Sequence, residues 1–189
     1  RKVKNERNIY MEAKYKGIDV SKWQGDINWE KVRASGVEFA MLRAGFGRCQ
    51  GQNDTSFERN YREAKKNGIL VGAYHYSYAK TVSDAEKEAE YFLSLISGKS
   101  FEFPVAFDIE DNSQKNLSRE EISNIVEAFC GRTEKAGYFV SVYANLWWLN
   151  NKISDRVKEH YDIWLAQWAD APSYGGKYGM WQYTSSGKT

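Results

Sequence analysis

The sequence predicts an α/β fold in which parallel strands form an irregular, TIM-like (β/α) barrel. Short apolar runs alternate with helical patterns along the chain, which is typical of parallel strands joined by helices. The helical patterns between the later runs are shorter or weaker, which favours a barrel with an irregular second half over eight even repeats. Because no linker, internal repeat or low-complexity tract divides the 189 residues, one main domain is expected.

Seven short apolar runs are predicted as the strands of this barrel. Most of them are rich in β-branched and aromatic residues, which suit a pleated and partly buried backbone. They are residues 16–20, 38–45, 70–78, 103–110, 138–144, 162–168 and 179–184.

Helices are predicted between the early strands from apolar spacing and from start and stop signals. Residues 28–35 form a short helix, and residues 55–67 place apolar side chains at helical spacing before Gly68, a stop signal. The segments SDAE (83–86) and SREE (118–121) have the Ser-x-x-Glu pattern of a capping box. Each is therefore expected to open a longer helix.

Composition and charge argue against several classes of function. The net charge is +2 and there is no long basic run, so nucleic-acid binding has little support. No apolar stretch reaches secretory or membrane-spanning length, so we expect neither a signal peptide nor membrane insertion. There is no Cys-x-x-Cys and the two histidines are far apart in sequence, so we do not expect a His-rich metal site. Aromatic residues reach 15%, and flat aromatic side chains are typical of cores and of sugar-binding clefts.

The cysteines and one histidine are predicted to have structural roles. Cys49 and Cys130 are too few for a disulfide framework, and Cys130 falls on the apolar face of a predicted helix. We therefore expect Cys130 to be a buried free thiol. His75 faces away from its neighbouring tyrosines on the predicted strand, so it is expected to be packed and hydrogen-bonded.

The segment FPVAFDIEDN (103–112) ends an apolar strand in three carboxylates within four residues. Because strand side chains alternate, Asp108 and Glu110 share one face, with their Cα atoms roughly 7 Å apart. The carboxyl ends of parallel strands form the active-site rim of α/β folds, and two acids there repel, which raises the proton affinity of one. Asp111 lies on the opposite face before Asn112, and is predicted to be a turn residue.

Other predicted strands also end in charged or aromatic side chains. If the strands are parallel, these residues converge with Asp108 and Glu110 on one cleft that combines carboxylates, a cation and an aromatic wall. Taken singly, each has a structural explanation, since an acid at a strand end is usually a turn residue and aromatics usually lie in cores. The residues are Asp19, Arg43, Tyr74, Tyr76, Tyr78, Tyr143, Trp168 and Gln182.

A series of blocks in fixed order resembles the family-25 glycoside hydrolases, which are bacterial and phage lysozymes acting as N-acetylmuramidases. The Asp-x-Glu strand alone is weakly specific, whereas the ordered set is strong. It runs from about residue 16 to the end of the sequence. The blocks are KGIDVSKWQGDINWEKV, FAMLRAGFG, GAYHYSYAKTVSDAEKEAEYFL, PVAFDIED, YANLWWL, IWLAQWA and MWQYTSSG.

The resemblance implies a flattened β/α barrel that cleaves the β-1,4 bond between N-acetylmuramic acid and N-acetylglucosamine in peptidoglycan, without metal or cofactor. By position, Glu110 matches the general acid, and Asp108 matches the carboxylate that stabilises the positive intermediate or orients the acetamido group. Asp19 matches the acid of the first-strand signature and completes the predicted catalytic set with Asp108 and Glu110. Tyr143 and Trp168 match cleft positions. Accordingly, residues 1–15 are assigned to an N-terminal extension and 16–189 to the catalytic domain.

We expect the remaining rim residues to bind substrate. The predicted substrate-binding residues are Arg43, Tyr74, Tyr76, Tyr143, Trp168 and Gln182. The resemblance further implies action on the cell wall, by a phage endolysin or an exported bacterial enzyme, with peptidoglycan glycan strands as the partner. The stereochemical course, whether retaining, inverting or substrate-assisted, depends on a carboxylate separation that the sequence leaves open.

Two departures from the family pattern bear on these expectations. Some members have Lys at the end of the second strand, where this chain has Arg43, which keeps the charge but changes its geometry. The family usually continues past WQYTSSGK into a last strand bearing another Asp, whereas this sequence ends at Thr189. We therefore expect an open edge between the seventh and first strands, in a monomer or weak dimer.

Two other functions remain open from the residues alone. A non-catalytic barrel that binds cell-wall glycans would keep the aromatic cleft, but would not need paired acids. A metal-dependent hydrolase or deacetylase would use Asp19, Asp108 and Glu110 as oxygen ligands.

Overall fold

A single parallel sheet organises the protein. The computed structural model describes residues 15–187, in which seven strands are hydrogen-bonded in chain order and every neighbouring pair is parallel. The strands are β1 (Gly17–Val20), β2 (Phe39–Phe46), β3 (Leu70–Tyr76), β4 (Val105–Asp108), β5 (Val140–Asn145), β6 (Asp162–Ala166) and β7 (Met180–Gln182). The predicted α/β class and parallel arrangement are confirmed.

The connections become irregular along the chain, as the sequence predicts. One α-helix joins each of the first four strands to the next, two six-residue helices join β5 to β6, and the loop 167–179 between β6 and β7 contains no helix. The α-helices are α1 (Trp29–Ala34), α2 (Phe57–Lys66), α3 (Val82–Ile96), α4 (Arg119–Lys135), α5 (Leu146–Asn151) and α6 (Asp155–His160). Within residues 15–187, none of the helices combines the length and the apolar content needed to cross a bilayer.

The two predicted capping boxes have different outcomes. At the start of α4, Ser118 accepts the backbone N–H of Glu121 and the Glu121 carboxylate accepts the N–H of Ser118, at 3.2 and 2.7 Å. The predicted start of α3 at SDAE is wrong. Thr81 is the cap, because its hydroxyl accepts the N–H of Asp84 at 3.1 Å from an extended backbone, so the helix already begins at Val82.

The sheet curls until its two edge strands face each other. In the described residues the backbones of β1 and β7 do not pair. A side-chain hydrogen bond nevertheless joins them, since Gln182 Nε2 of β7 donates to Asp19 Oδ2 of β1 at 2.9 Å. A cleft of about 780 Å³ lies between these edges. The fold is therefore a TIM-like barrel that is open on one side, as expected for the first and seventh strands.

Side-chain alternation divides the core into two layers. In β4, Val105 and Phe107 belong to the main core, whereas Ala106 points to a smaller cluster inside the curl and Asp108 shares its parity. Phe103 has the same parity as Val105 but contacts the inner cluster instead, since β4 starts only after Pro104. The inner cluster is Met41, Ala106, Tyr143, Trp164, Ala166 and Met180.

Two predictions made for residues outside the cleft are confirmed. Cys130 is a fully buried free thiol in α4. His75 is fully buried between Phe92 and Phe129, with ring centroids at 5.4 and 5.6 Å, and its Nε2 lies 2.8 Å from the carbonyl oxygen of Gly47. Neither side chain is hydrogen-bonded to the candidate active-site residues described below.

Candidate active site

Asp108 is the last residue of β4 and is almost enclosed at the carboxyl end of the sheet, with 6% of its surface exposed. Among the described residues its Oδ1 is buried and has no hydrogen-bond partner. Burial raises the pKa of Asp108 well above its ordinary value, and the negative charges of Glu110 and Asp19 raise it further while Arg43 opposes them. Asp108 therefore presents a buried acceptor oxygen that the described part of the chain leaves unpaired.

Glu110 lies just beyond β4 and is half-buried beside the end of β5. Its Oε2 accepts two hydrogen bonds from Asn145, at 2.8 Å from the side-chain Nδ2 and at 3.3 Å from the backbone nitrogen. Burial raises the pKa of Glu110, while these two bonds to the charged form pull it down. The proximity to Asp108 that the alternation predicts is supported by the effect of Glu110 on the pKa of Asp108.

Asn145 is a site residue that the sequence analysis missed. It ends β5 and also caps α5, where its Oδ1 accepts the N–H of Trp148 at 3.2 Å. Because the helix start takes the amide oxygen, the amide nitrogen must turn toward Glu110. Asn immediately before a helical run at a strand end is a recognisable N-cap signal, but its contact with Glu110 arises only from the pairing of β4 with β5.

Gln182 links three other predicted cleft residues. Its Oε1 accepts the Tyr143 hydroxyl and the indole N–H of Trp168, both at 3.0 Å. Its Nε2 donates to Asp19 Oδ2 at 2.9 Å. This hydrogen bond lowers the pKa of Asp19, but burial dominates, so that pKa is raised overall. The structure therefore brings together residues from β1, β5, β7 and the loop after β6.

Arg43 is held by a partner that the sequence analysis did not identify. Its Nε donates to Asp54 Oδ2 at 2.8 Å, and Asp54 is only 2% exposed. The Nη2 of Arg43 is also buried and has no partner among the described residues. Asp54 lies in an NDTS segment that reads as an ordinary turn, so nothing local distinguishes it.

The predicted tyrosines at the end of β3 differ in burial, and none of the three lines the cleft between β1 and β7. Tyr74 packs edge-on against Trp164, with ring centroids 5.9 Å apart, while Tyr78, beyond the end of β3, is 45% exposed. The Tyr76 hydroxyl donates to Asp111 Oδ2 at 2.9 Å. Asp111 also accepts the N–H of Ser113 at 2.9 Å as the cap of a 3₁₀ turn, which confirms the turn role predicted for it.

No metal centre is evident in the part of the chain that the structure describes. Within residues 15–187, no group of three or more His, Cys, Asp or Glu side chains is arranged to hold a metal ion. The geometry therefore offers no observation in favour of the metal-dependent alternative that uses Asp19, Asp108 and Glu110.

Comparison with known proteins links this site to a family. The family model described as glycosyl hydrolases family 25 matches residues 18–189. An autolytic lysozyme of Clostridium acetobutylicum is 31% identical over 173 residues, covering 91% of this chain and 51% of the relative. Lysozyme M1 of Streptomyces globisporus is 31% identical over 188 residues, covering 91% of this chain and 62% of the relative.

The fold similarity extends to solved structures. The crystal structure of the bacterial lysozyme from Streptomyces coelicolor superposes with a TM-score of 0.79 at 31% identity, over 91% of this chain and 84% of that one. The chain spans only 51% and 62% of the length of the two curated relatives described above.

Proposed function

Because the chain belongs to glycosyl hydrolases family 25, we propose that it is a muramidase, which hydrolyses the β-1,4 bond between N-acetylmuramic acid and N-acetylglucosamine in bacterial peptidoglycan. The observation that carries this proposal is the pair of buried carboxyls at the end of β4, Asp108 and Glu110, whose pKa values are both raised. Glycoside hydrolysis requires such a pair, one group as the acid and the other as the negative charge.

Glu110 is the proposed general acid. Its Oε2 is occupied by two donors of Asn145, so the proton of the acid form belongs on Oε1. Because its pKa is raised, Glu110 holds its proton to a higher pH than an ordinary glutamate does, as a general acid requires. In the reaction this proton passes to the glycosidic oxygen as the bond to the anomeric carbon breaks.

Asp108 is the proposed electrostatic partner. Its carboxylate form, which the positive charge of Arg43 favours against burial, is proposed to stabilise the oxocarbenium-like carbon that develops as the leaving group departs. The unpartnered Oδ1 can accept the acetamido N–H of muramic acid, which would orient that group beside the anomeric carbon. A substrate donor at this oxygen would also remove the cost of leaving a buried acceptor unpaired.

The other predicted residues form the wall of the proposed cleft. Gln182 holds Asp19 on one side and two aromatic side chains on the other, which fits contact with a sugar ring and its hydroxyl groups. Arg43 adds a positive charge that lowers the pKa of Asp108. The set proposed to contact substrate is Arg43, Tyr74, Tyr76, Tyr143, Trp168 and Gln182.

We place the proposed activity at the bacterial cell wall, since both curated relatives described above are named as lysozymes. The non-catalytic glycan-binding alternative has no use for two neighbouring carboxyls that repel each other, and burying Asp108 with an unpaired oxygen costs stability. The family and the paired acids together favour catalysis.

Mass spectrometry of digested peptidoglycan tests the proposal. We expect soluble fragments with muramic acid at the reducing end, and none from the Glu110→Gln variant under the same conditions. Fragments with reducing-end glucosamine would instead identify a glucosaminidase. Binding to walls without any fragment would support the glycan-binding barrel and refute the muramidase proposal.

A further inference from the structure

A rigid turn after β1 carries the side chains of Lys22 and Trp23. Ser21 accepts the N–H of Trp23 at 3.3 Å, and Gln24 accepts the N–H of Ser21 at 2.8 Å, which forms a reciprocal capping box on the 3₁₀ turn Lys22–Gln24. The Trp23 side chain is nevertheless 74% exposed. A large aromatic side chain on an ordered backbone, left in water, is available to contact a ligand.

Asp54 joins this turn to the rest of the barrel. One carboxylate oxygen accepts the backbone N–H of Lys22 at 2.9 Å and the Nε of Arg43 at 2.8 Å. The other accepts the N–H of Ser56 at 3.0 Å, just before α2. Since Asp54 is buried, these charge-assisted bonds fix the turn relative to β2 and α2.

The turn closes one side of a pocket of about 320 Å³ that combines exposed aromatic rings with a cation. Tyr78 and Phe46 meet edge-on, with ring centroids 6.3 Å apart. The Lys22 ammonium lies 5.1 Å from the Trp23 ring centroid and 6.0 Å from that of Phe46. Within residues 15–187, no carboxylate lies within 4.0 Å of this ammonium. The pocket lining is Lys22, Trp23, Arg43, Phe46, Tyr76 and Tyr78.

This pocket lies next to one of the proposed catalytic carboxyls. Tyr76 lines the pocket and lies beside Asp108 across the β3–β4 ladder. A glycan whose scissile bond meets Asp108 and Glu110 therefore extends within reach of the pocket, because consecutive sugars continue along the strand from the reacting one.

We propose that this pocket is an accessory subsite for a carboxylate-bearing sugar of the glycan strand, with the sugar ring against Trp23 and the carboxylate on Lys22. The inference rests on the proposed function and identifies what selects an anionic glycan over a neutral one. In peptidoglycan the carboxylate comes either from the lactyl group of muramic acid or from the stem peptide attached to it. Both would pair with a lysine ammonium that has no carboxylate partner among residues 15–187.

Three soluble substrates test the subsite. They are glycan strands freed of stem peptides by an amidase, strands that keep their stem peptides, and peptide-free strands whose carboxylates are converted to methylamides. For the wild type we expect a KM about tenfold lower on a carboxylate-bearing strand than on the methylamide strand, as for one ion pair in a partly desolvated site. In Lys22→Gln the ratio of the KM on the methylamide strand to the KM on a carboxylate-bearing strand should fall to near one. The strand type on which the ratio is larger identifies the lactyl or the peptide carboxylate.

Trp23→Ala tests the aromatic contact, and two exposed residues outside the pocket serve as matched controls. We expect Trp23→Ala to raise KM about tenfold on carboxylate-bearing strands while kcat changes by less than about twofold, because the residue does not touch the scissile bond. Phe139→Ala, just before β5, and Lys87→Gln, in α3, change exposed side chains and should leave KM unchanged. Melting temperatures check that every variant is folded.

The subsite is refuted if Lys22→Gln keeps the wild-type ratio or if Trp23→Ala keeps the wild-type KM. These outcomes differ from failure of the proposed function, in which the wild type would release no fragment from any of the three strands.

Discussion

Asn145 donates twice to the same carboxylate oxygen of Glu110, through its side-chain Nδ2 at 2.8 Å and its backbone nitrogen at 3.3 Å. The amide cannot rotate freely, because its oxygen caps α5 by accepting the N–H of Trp148. Asn145 is thus a positioning residue, which leaves Oε1 of Glu110 as the oxygen that can hold and transfer a proton. The start of a helix thereby orients the proposed acid.

Replacing Asn145 should shift the pH dependence of the reaction. Asn145→Ser keeps a capping oxygen but loses the side-chain Nδ2 that donates to Glu110. The pKa of Glu110 should therefore rise further. Because the protonated acid is the active form, the basic limb of the kcat profile should move to higher pH. Asn145→Asp also keeps the cap and adds a like charge, so its limb should move further in the same direction.

The Ser and Asp variants of Asn145 control for each other, since both retain the cap and should have similar melting temperatures. A basic limb that stays at the wild-type pH in both would show that Asn145 does not act through the ionisation of Glu110.

Glu110→Gln should abolish lysis and leave the fold intact. The amide is nearly isosteric and its oxygen can still accept from Asn145 Nδ2, but it has no acidic proton to give. Loss of a general acid typically removes about 10²–10⁴-fold in rate. The measurements are wall turbidity and circular dichroism on the same sample. Wild-type turnover in the folded variant would remove Glu110 from the role of acid.

Asp108→Asn should cripple catalysis and move the basic limb of the residual activity to lower pH. The two carboxyls repel, so the last proton of the pair is lost at a higher pH than either would show alone, whichever residue holds it. Removing one charge takes away that repulsion. The pH–rate profile of the variant decides, and a limb that stays in place or moves to higher pH would contradict close coupling of Asp108 with Glu110.

The sequence predicted the elements that depend on local pattern. Period-two alternation in 103–110 correctly gave Asp108 the inward parity and Asp111 the turn, because both follow from strand geometry and turn chemistry. The contacts of Asn145 and Asp54 could not be predicted in this way. Each joins segments 35 and 32 residues apart, through the β4–β5 pairing and the packing of the first turn on β2.

A similar limit explains the error at the start of α3. Thr81 and Ser83 are both acceptable caps by residue type, and the choice depends on which residue has an extended backbone. The chain leaving β3 sets that conformation, so the sequence signal alone could not decide between them.

Asp108→Asn should also stabilise the protein at neutral pH. Burial raises the pKa of Asp108 in the folded state above the ordinary value of the unfolded chain, so the folded state binds its proton more tightly. The contribution of this group to stability is therefore greatest below the unfolded pKa, and it is lost as the pH rises through the folded pKa. Asparagine is neutral throughout, so the variant avoids the loss. At pH 7 we expect a gain of about 1.4 kcal/mol for each unit by which folding raises the pKa, and roughly 2–4 °C in Tm for each kcal/mol. The gain should vanish below about pH 4, where the unfolded aspartate is also protonated.

Asp170→Asn, at an exposed position, is the matched control and should leave Tm unchanged. Thermal unfolding of the three proteins at pH 7 and pH 3.5 measures the effect, and a variant that is no more stable than the wild type at pH 7 would show that the Asp108 charge is not costly to bury.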